Sequence, residues 1–145
     1  MAQMAEISPC LLVVDDEPMT IQLIQIAFEM EGFTVLTAGS GEEALEKVYD
    51  CDVVLLDLMM PEMDGMEVLR RIRANPELEG LPVIMFTAKS DGLTAALARK
   101  AGVSGFHTKP PDLTHLVIDA SRLAARRISD LALLKAEGER PTEEA

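Results

Sequence analysis

Long hydrophobic runs are missing from this sequence. No apolar stretch approaches the roughly 20 residues that a membrane-spanning helix needs, so we expect no transmembrane segment. The first residues, Met1 to Pro9, contain neither lysine nor arginine and no extended apolar stretch, which does not support a secretory signal peptide. Together these absences predict a cytoplasmic protein.

Basic residues are also scarce. The chain has 13 lysines and arginines against 25 aspartates and glutamates, which gives a formal net charge of −12. Nucleic acids and anionic membranes are bound through clustered basic side chains. We therefore expect no direct binding to nucleic acid or to a membrane, and any DNA-binding output would lie outside this chain.

Cysteine is nearly absent. The only two, Cys10 and Cys51, lie at the beginnings of predicted strands, where a small buried hydrophobic side chain is the expected role. A disulfide or a redox switch is the alternative interpretation.

The length of 145 residues suits one domain with a proper core. No internal repeat, low-complexity segment or interdomain linker is visible. We predict a disordered N-terminus at 1–6, one domain at 7–126, an extension of the last helix at 127–136 and a disordered acidic tail at 137–145.

Apolar runs of strand length alternate with helical patterns along the chain. The runs lack strict alternation of apolar and polar residues, which is typical of strands buried on both faces of a parallel sheet. An α/β fold follows, with helices covering the sheet. The predicted strands are 11–14, 34–37, 53–56, 83–86 and 103–107.

Five helices are predicted between and after these strands. Four of them span 18–31, 65–74, 93–100 and 112–136, and another begins at the capping pattern formed by Ser40 and Glu43. The last is longer than one face of the sheet needs. Its seven-residue spacing of Val117, Ala124 and Leu131 is compatible with a coiled coil, which would give a homodimer through this helix. The alternative is a helix that covers the sheet and extends into solvent.

Acidic residues follow two of the predicted strands. Asp15 and Asp16 come after the first, and Asp57 comes after the third. Two like charges about 4 Å apart repel by roughly 4 kcal/mol at an effective dielectric near 20, so a fold that gathers them needs a cation. We therefore predict a divalent-metal site around one reactive aspartate. Thr87 and Lys109 also follow strands, at the sheet edge where ligands bind in such folds.

Four motifs in order now point to a family. They are Val13-Val14-Asp15-Asp16-Glu17-Pro18, Leu55-Leu56-Asp57-Leu58-Met59-Met60-Pro61 with Asp64-Gly65, Thr87-Ala88 and Lys109-Pro110. Over about 7–126 the chain resembles the receiver domain of bacterial two-component response regulators. The resemblance implies a doubly wound, flavodoxin-like sheet of five parallel strands in the order 2-1-3-4-5.

The resemblance also implies roles for the residues at the strand ends. Asp57 would accept a phosphoryl group from a sensor histidine kinase, a phosphotransfer protein or a small phosphodonor. Asp15, Asp16, Asp57 and the backbone carbonyl of Met59 would hold Mg²⁺, with Mn²⁺ as an alternative. Lys109 would pair with a phosphoryl oxygen.

In this family, two further residues would transmit the effect of phosphorylation at Asp57. Thr87 would donate its hydroxyl to the phosphoryl group, and its movement would be coupled to burial of Phe106. The bond between Lys109 and Pro110 would be cis. The output would be altered binding of a downstream protein whose identity the sequence does not give.

Other functions are compatible with parts of this sequence. The same site could serve a receiver module of a longer regulator with a C-terminal output domain, or a constitutive interaction scaffold. A flavin or nucleotide binder would need a glycine-rich or Ser/Thr-rich phosphate cradle after the first strand, where this chain is acidic. A phosphohydrolase would need a general acid at position 59, which is Met59. We therefore expect a switch and no small-molecule enzyme.

Overall fold

One parallel sheet runs through the part of the chain that the structure, a computed structural model, describes, namely residues 8–89 and 91–139. The strand order β2-β1-β3-β4-β5 confirms the expected topology. The strands are β1 (Cys10–Val14), β2 (Thr34–Ala38), β3 (Val53–Leu56), β4 (Val83–Thr87) and β5 (Gly105–Thr108).

Helices connect these strands and follow the last one, with bounds α1 (Pro18–Met30), α2 (Gly41–Lys47), α3 (Gly65–Ala74), α4 (Gly92–Lys100) and α5 (Leu113–Glu139). Their starts are set by local chemistry. Pro18 occupies the first turn of α1, and the side chains of Ser40, Asp64 and Asp91 accept hydrogen bonds from backbone N–H groups at the starts of the next three helices.

Both faces of the sheet are buried, because neighbouring residues on each strand point to opposite sides. Leu12 and Val14 pack with residues of α2, α3 and α4, whereas Leu11 and Val13 pack with residues of α1 and α5. This two-sided burial explains why the strands read as continuous apolar runs. None of the helices in the described residues is long and apolar enough to cross a membrane.

Two predicted boundaries differ from the structure by more than one residue. β5 begins at Gly105, two residues later than predicted, and α5 continues to Glu139 instead of ending at 136. The first three residues of the predicted disordered tail are therefore helical. Gly138 costs a helix only about 1 kcal/mol relative to alanine, and no proline interrupts the sequence before Pro141. The predicted disorder at 1–6 and at 140–145 lies outside the described residues.

The long helix α5 has two parts. Leu116, Ala120 and Ala124 are fully buried in the core, so its first half covers the sheet. Leu131 and Leu134, further along, are exposed in this single chain. The structure thus agrees with a helix that covers the sheet and then extends beyond it, and dimerisation through the extension stays a prediction.

The start of α3 lies against the residue that follows β3. A Cβ atom placed on Gly65 would come within 2.3 Å of the carbonyl oxygen of Asp57 and within 2.7 Å of Leu58 Cα. The Gly65 N–H also donates to the Leu58 carbonyl, at 2.8 Å. The missing side chain at Gly65 therefore lets the loop after β3 fold tightly and fixes the backbone of Asp57.

We predict that Gly65→Ala lowers the free energy of unfolding by about 3 kcal/mol, since rigid backbone has to move to admit the methyl group. Urea denaturation measures this. Gly92→Ala is the matched control, because Gly92 also begins a helix after an aspartate cap but has no atom within 4 Å of an added Cβ. That control should leave stability unchanged or raise it by up to about 1 kcal/mol. Equal effects of the two substitutions would contradict the packing argument.

Candidate functional site

The carboxyl edge of the sheet gathers the polar side chains that follow its strands. Asp15 follows β1, Asp57 follows β3, Thr87 ends β4, and Lys109 follows β5. Backbone hydrogen bonds hold these positions, because the Asp15 N–H donates to Ala38 at 3.1 Å and the Lys109 N–H donates to Thr87 at 2.9 Å. The side chains therefore converge on one place, as expected for a parallel sheet.

Three carboxylates meet there. One oxygen from each of Asp15, Asp16 and Asp57 lies within 4.8 Å of the others, and no other group of three such ligands occurs in the described residues. Asp15 and Asp57 are buried, with 1% and 4% exposure, whereas Asp16 is exposed. Clustered carboxylate oxygens with one side open to solvent fit a hard divalent cation such as Mg²⁺, which keeps several waters.

Lys109 is the only cation in contact with this cluster among the described residues. Its Nζ lies 2.7 Å from Asp15 Oδ2 and 3.5 Å from Asp57 Oδ2. Burial lowers the pKa of Lys109, but the hydrogen bond and charge of Asp15 and the charge of Asp57 outweigh burial and leave the pKa above its usual value. The ammonium therefore stays charged and offsets part of the repulsion.

The carboxylate of Asp57 is only partly stabilised. Burial raises its pKa, the charge of Asp15 raises it further, and Lys109 and the Met59 N–H oppose the rise without cancelling it. Oδ1 accepts the Met59 N–H at 3.3 Å, and Oδ2 faces Lys109 at 3.5 Å, both at the long end of hydrogen-bond distances. Asp57 is thus a buried carboxylate with few strong partners.

An open cavity of about 520 Å³ leads from solvent to this loop and is lined by Leu58, Met59, Met60, Asp64 and Lys89. The Met59 side chain is 58% exposed beside it. A reagent can therefore approach the Asp57 loop from the side of Met59 and Lys89.

The switch residues named from the sequence lie on neighbouring strands. Thr87 is completely buried, and its Oγ1 accepts the Lys89 N–H at 3.3 Å. Phe106, on β5, is partly buried and packs against the core on the side of α4. The bond between Lys109 and Pro110 is cis. Thr87 and Phe106 lie diagonally on neighbouring strands, since Thr87 pairs with Thr108 and Phe106 pairs with Met85.

Sequence reasoning missed two contributors to the site. The Lys109 ammonium lies 5.2 Å from the centroid of the Phe86 ring, a cation–π contact that helps to hold it. Gly65 sets the backbone of Asp57, as described above. An aromatic residue just before Thr87 and the Asp64-Gly65 pair were visible in the sequence, but their neighbours were not.

One family model and several characterised proteins match this sequence. The family model described as response regulator receiver domain matches residues 11–120. The DNA-binding response regulator MtrA of Mycolicibacterium smegmatis is 39% identical over 102 residues, which cover 69% of this chain and 43% of that protein. The transcriptional regulatory protein TrcR of Mycobacterium tuberculosis is 36% identical over 136 residues, covering 92% of this chain and 49% of TrcR. The matches thus span less than half of these relatives.

Solved structures of receiver domains and chemotaxis proteins are also similar to this chain. The receiver domain of Francisella response regulator 1452 superposes with a TM-score of 0.76 and 31% identity, over 82% of this chain and 98% of that chain. The chemotaxis protein CheY4 of Vibrio cholerae superposes with a TM-score of 0.75 and 27% identity, over 81% and 99% of the two chains.

We predict that Asp57→Asn raises the free energy of unfolding by about 1 kcal/mol at pH 7 without divalent cations, because it removes a buried charge. The folded state binds the Asp57 proton more tightly than the unfolded state. The parent protein therefore loses stability as the pH rises from the unfolded value of 3.8 through the raised folded pKa. The difference between variant and parent should shrink when urea denaturation is repeated at lower pH.

Asp50→Asn is the control for this measurement, since Asp50 is an exposed aspartate at the opposite edge of the sheet. It should change stability by less than about 0.5 kcal/mol at pH 7. An Asp57→Asn protein that is less stable than the parent, with a gap that widens as the pH rises, would refute the proposed cost of ionising Asp57.

Proposed function

The chain belongs to the response regulator receiver domain family, and from this membership and the geometry above we propose that it is a phosphorylation-dependent switch whose phosphoacceptor is Asp57. The observation that carries the proposal is a buried carboxylate that shares the Lys109 ammonium with Asp15 and directly precedes Leu58 and Met59, which line a cavity open to solvent. Signalling of this kind requires a nucleophile whose charge and surroundings change when it reacts.

Asp57 would act as the nucleophile. One of its carboxylate oxygens forms a bond to phosphorus while the bond from phosphorus to the donor breaks, and the bonding electron pair leaves with the donor. The donor is the phosphohistidine of a sensor histidine kinase or phosphotransfer protein, or a small acyl phosphate. Burial, and after it the charge of Asp15, raises the pKa of Asp57, so its ionised oxygen is more basic than that of an ordinary aspartate.

Three side chains and one backbone group would hold Mg²⁺, namely the carboxylates of Asp15, Asp16 and Asp57 and the carbonyl of Met59. When bound, the ion neutralises negative charge on the transferring group. Lys109 serves the same purpose as a fixed charge, since its ammonium can exchange the Asp57 carboxylate for a phosphoryl oxygen without leaving Asp15.

Thr87 and Phe106 would carry the signal away from the site. The Thr87 hydroxyl now accepts the Lys89 N–H, and its own proton is available to a phosphoryl oxygen. Movement of Thr87 would leave space that the partly buried Phe106 fills, so a local hydrogen bond becomes a packing change at the surface near β5.

The wider role of the protein follows from the same proposal. We expect it to work in the cytoplasm with a kinase or phosphotransfer protein and a downstream protein. Because the matched relatives are more than twice as long as the matched segment, a receiver module within a longer regulator is an equally consistent setting. No turnover of small molecules is expected beyond the protein's own phosphorylation and dephosphorylation.

We predict that incubation with acetyl phosphate and Mg²⁺ adds one phosphoryl group, which intact-mass spectrometry detects. Asp57→Asn should abolish the adduct, because the amide nitrogen and oxygen are poor nucleophiles. EDTA should abolish it as well, since three clustered carboxylates hold the metal. Asp50→Asn is the matched control and should react like the parent. An adduct that survives Asp57→Asn, or none in the parent, would disprove the proposal.

A second prediction separates a switch from a constitutive scaffold. Beryllofluoride with Mg²⁺ should shift the NMR signals of the Phe106 ring but not those of Phe33, which packs in the other core layer. Thr87→Ala should remove the Phe106 response while Thr87→Ser, which keeps the hydroxyl, retains it. A scaffold would show the same Phe106 signals with and without beryllofluoride.

A further inference from the structure

A second cluster of charged side chains lies at the amino edge of the sheet, opposite the edge that carries Asp57. Arg73 from α3 and Arg126 and Arg127 from α5 line an open cavity of about 410 Å³. Its floor is formed by the segments that lead into β4 and β5, including Ser104. Three arginines around one cavity are unusual in a chain whose net charge is −12.

These three arginines differ from the others nearby. Arg70 and Arg71 pair with Glu67, and Arg122 pairs with Asp119. Among the described residues, none of the three cavity arginines has a carboxylate oxygen within 4.0 Å, although Asp130 also lines the cavity. The positive charge of the cavity is therefore not neutralised by direct ion pairs.

Two of the guanidinium groups are held in place by backbone. Arg73 donates to the carbonyls of Leu81, at 2.7 Å, and Gly102, at 2.9 Å, and Arg127 donates to the carbonyl of Glu79. Both lie against turns whose glycine has a positive φ: an added Cβ on Gly80 would be 3.1 Å from Arg127 Nη1, and one on Gly102 would be 3.1 Å from Arg73 Nε. Each of these two arginine side chains therefore packs closely against the backbone of a glycine-containing turn.

The arrangement holds like charges close together. Burial lowers the pKa of Arg73, and the nearby charge of Arg127 lowers it further. A guanidinium has five N–H donors, and Arg127 uses one of them while its Nε is buried without a hydrogen-bond partner in the described part of the chain. Ser104 Oγ accepts the Val83 N–H at 3.0 Å and an Arg73 Nη2 N–H at 3.5 Å, and it keeps its own proton to donate. Donors and positive charge remain for a ligand.

We propose that this cavity binds a phosphate group, either as free phosphate or as part of a small phosphorylated molecule. Arginine presents paired donors that match phosphate oxygens, and a hydroxyl is a common additional partner. A phosphate dianion satisfies more of the free donors and more of the charge than a single carboxylate does. The site is separate from Asp57, so it does not depend on the proposed phosphorylation.

Binding is tested on the full chain carrying Asp57→Asn, in EDTA, so that the acidic edge cannot take part. Inorganic phosphate, adenosine monophosphate and acetate are titrated in turn, and amide chemical shifts are recorded. We expect saturable shifts centred on Gly80 and Ser104 with phosphate and no saturation with acetate. Tighter binding of the nucleotide would identify a phosphorylated molecule as the source, and equal or weaker binding would identify free phosphate.

Variants of α5 give the matched controls. Arg126→Gln and Arg127→Gln should each weaken phosphate binding about tenfold, in line with the loss of a charge-assisted hydrogen bond. Asp130→Asn, which removes the competing acid, should tighten it. Lys135→Gln removes the same charge from an exposed position on the same helix and should change affinity less than about twofold.

The inference is overturned by several outcomes. These are the absence of saturable phosphate binding, shifts centred on Thr87 instead of Ser104, equal weakening by Lys135→Gln and Arg126→Gln, or weaker binding in Asp130→Asn. Thermal unfolding of each variant accompanies the titrations. Because Arg126 is exposed and makes no hydrogen bond in the described residues, Arg126→Gln keeps the test valid even if Arg127→Gln unfolds.

Discussion

Mutual repulsion of carboxylates at one edge of the sheet is the constraint on which the site depends. Asp15 and Asp57 are buried together, and the fold places them there because β1 and β3 are neighbours that end at the same level. Lys109 reaches both from β5 across β4 and is held by the ring of Phe86. A single ammonium is less charge than the carboxylates carry. The edge therefore keeps negative charge that Lys109 does not offset, and a divalent cation such as Mg²⁺ fits it.

Much of this arrangement could be predicted from the sequence. Strands buried on both faces appear in the sequence as apolar runs. Because parallel strands end at one edge of the sheet, the sequence also predicts that Asp15, Asp57, Thr87 and Lys109 lie together. Strand order came only from family resemblance, since five alternating units fit more than one order. Contacts that depend on the conformation of a loop could not be predicted from the sequence. The close approach of Gly65 to Asp57 is one example, because it depends on how the loop after β3 folds. The end of α5 was not predicted correctly, because no residue before Pro141 prevents the helix from continuing.

The two edges of the sheet hold charged clusters of opposite sign. Acid collects at the carboxyl edge, and Arg73, Arg126 and Arg127 collect at the amino edge. Basic residues near the C-terminal ends of helices are favoured by the helix dipole, which accounts for Arg73 in the last turn of α3. It does not account for Arg126 and Arg127, which lie in the middle of α5. No pattern along the sequence reveals this cluster, because its members come from distant segments that meet only in the fold.

The length of α5 turns a small rotation into a large displacement. Arg127 still contacts the domain through the Glu79 carbonyl, and the helix continues to Glu139. At 1.5 Å per residue the part beyond Arg127 is about 18 Å long, so a tilt of about 5° at its base moves the tip by about 1.5 Å. A rigid helix of this kind converts rotation of its packed half against the sheet into displacement of its unpacked end. A small change in packing at the sheet would therefore become a larger displacement at the C-terminal end of α5. Another protein, or another part of a longer chain, that contacts this end would respond to the displacement.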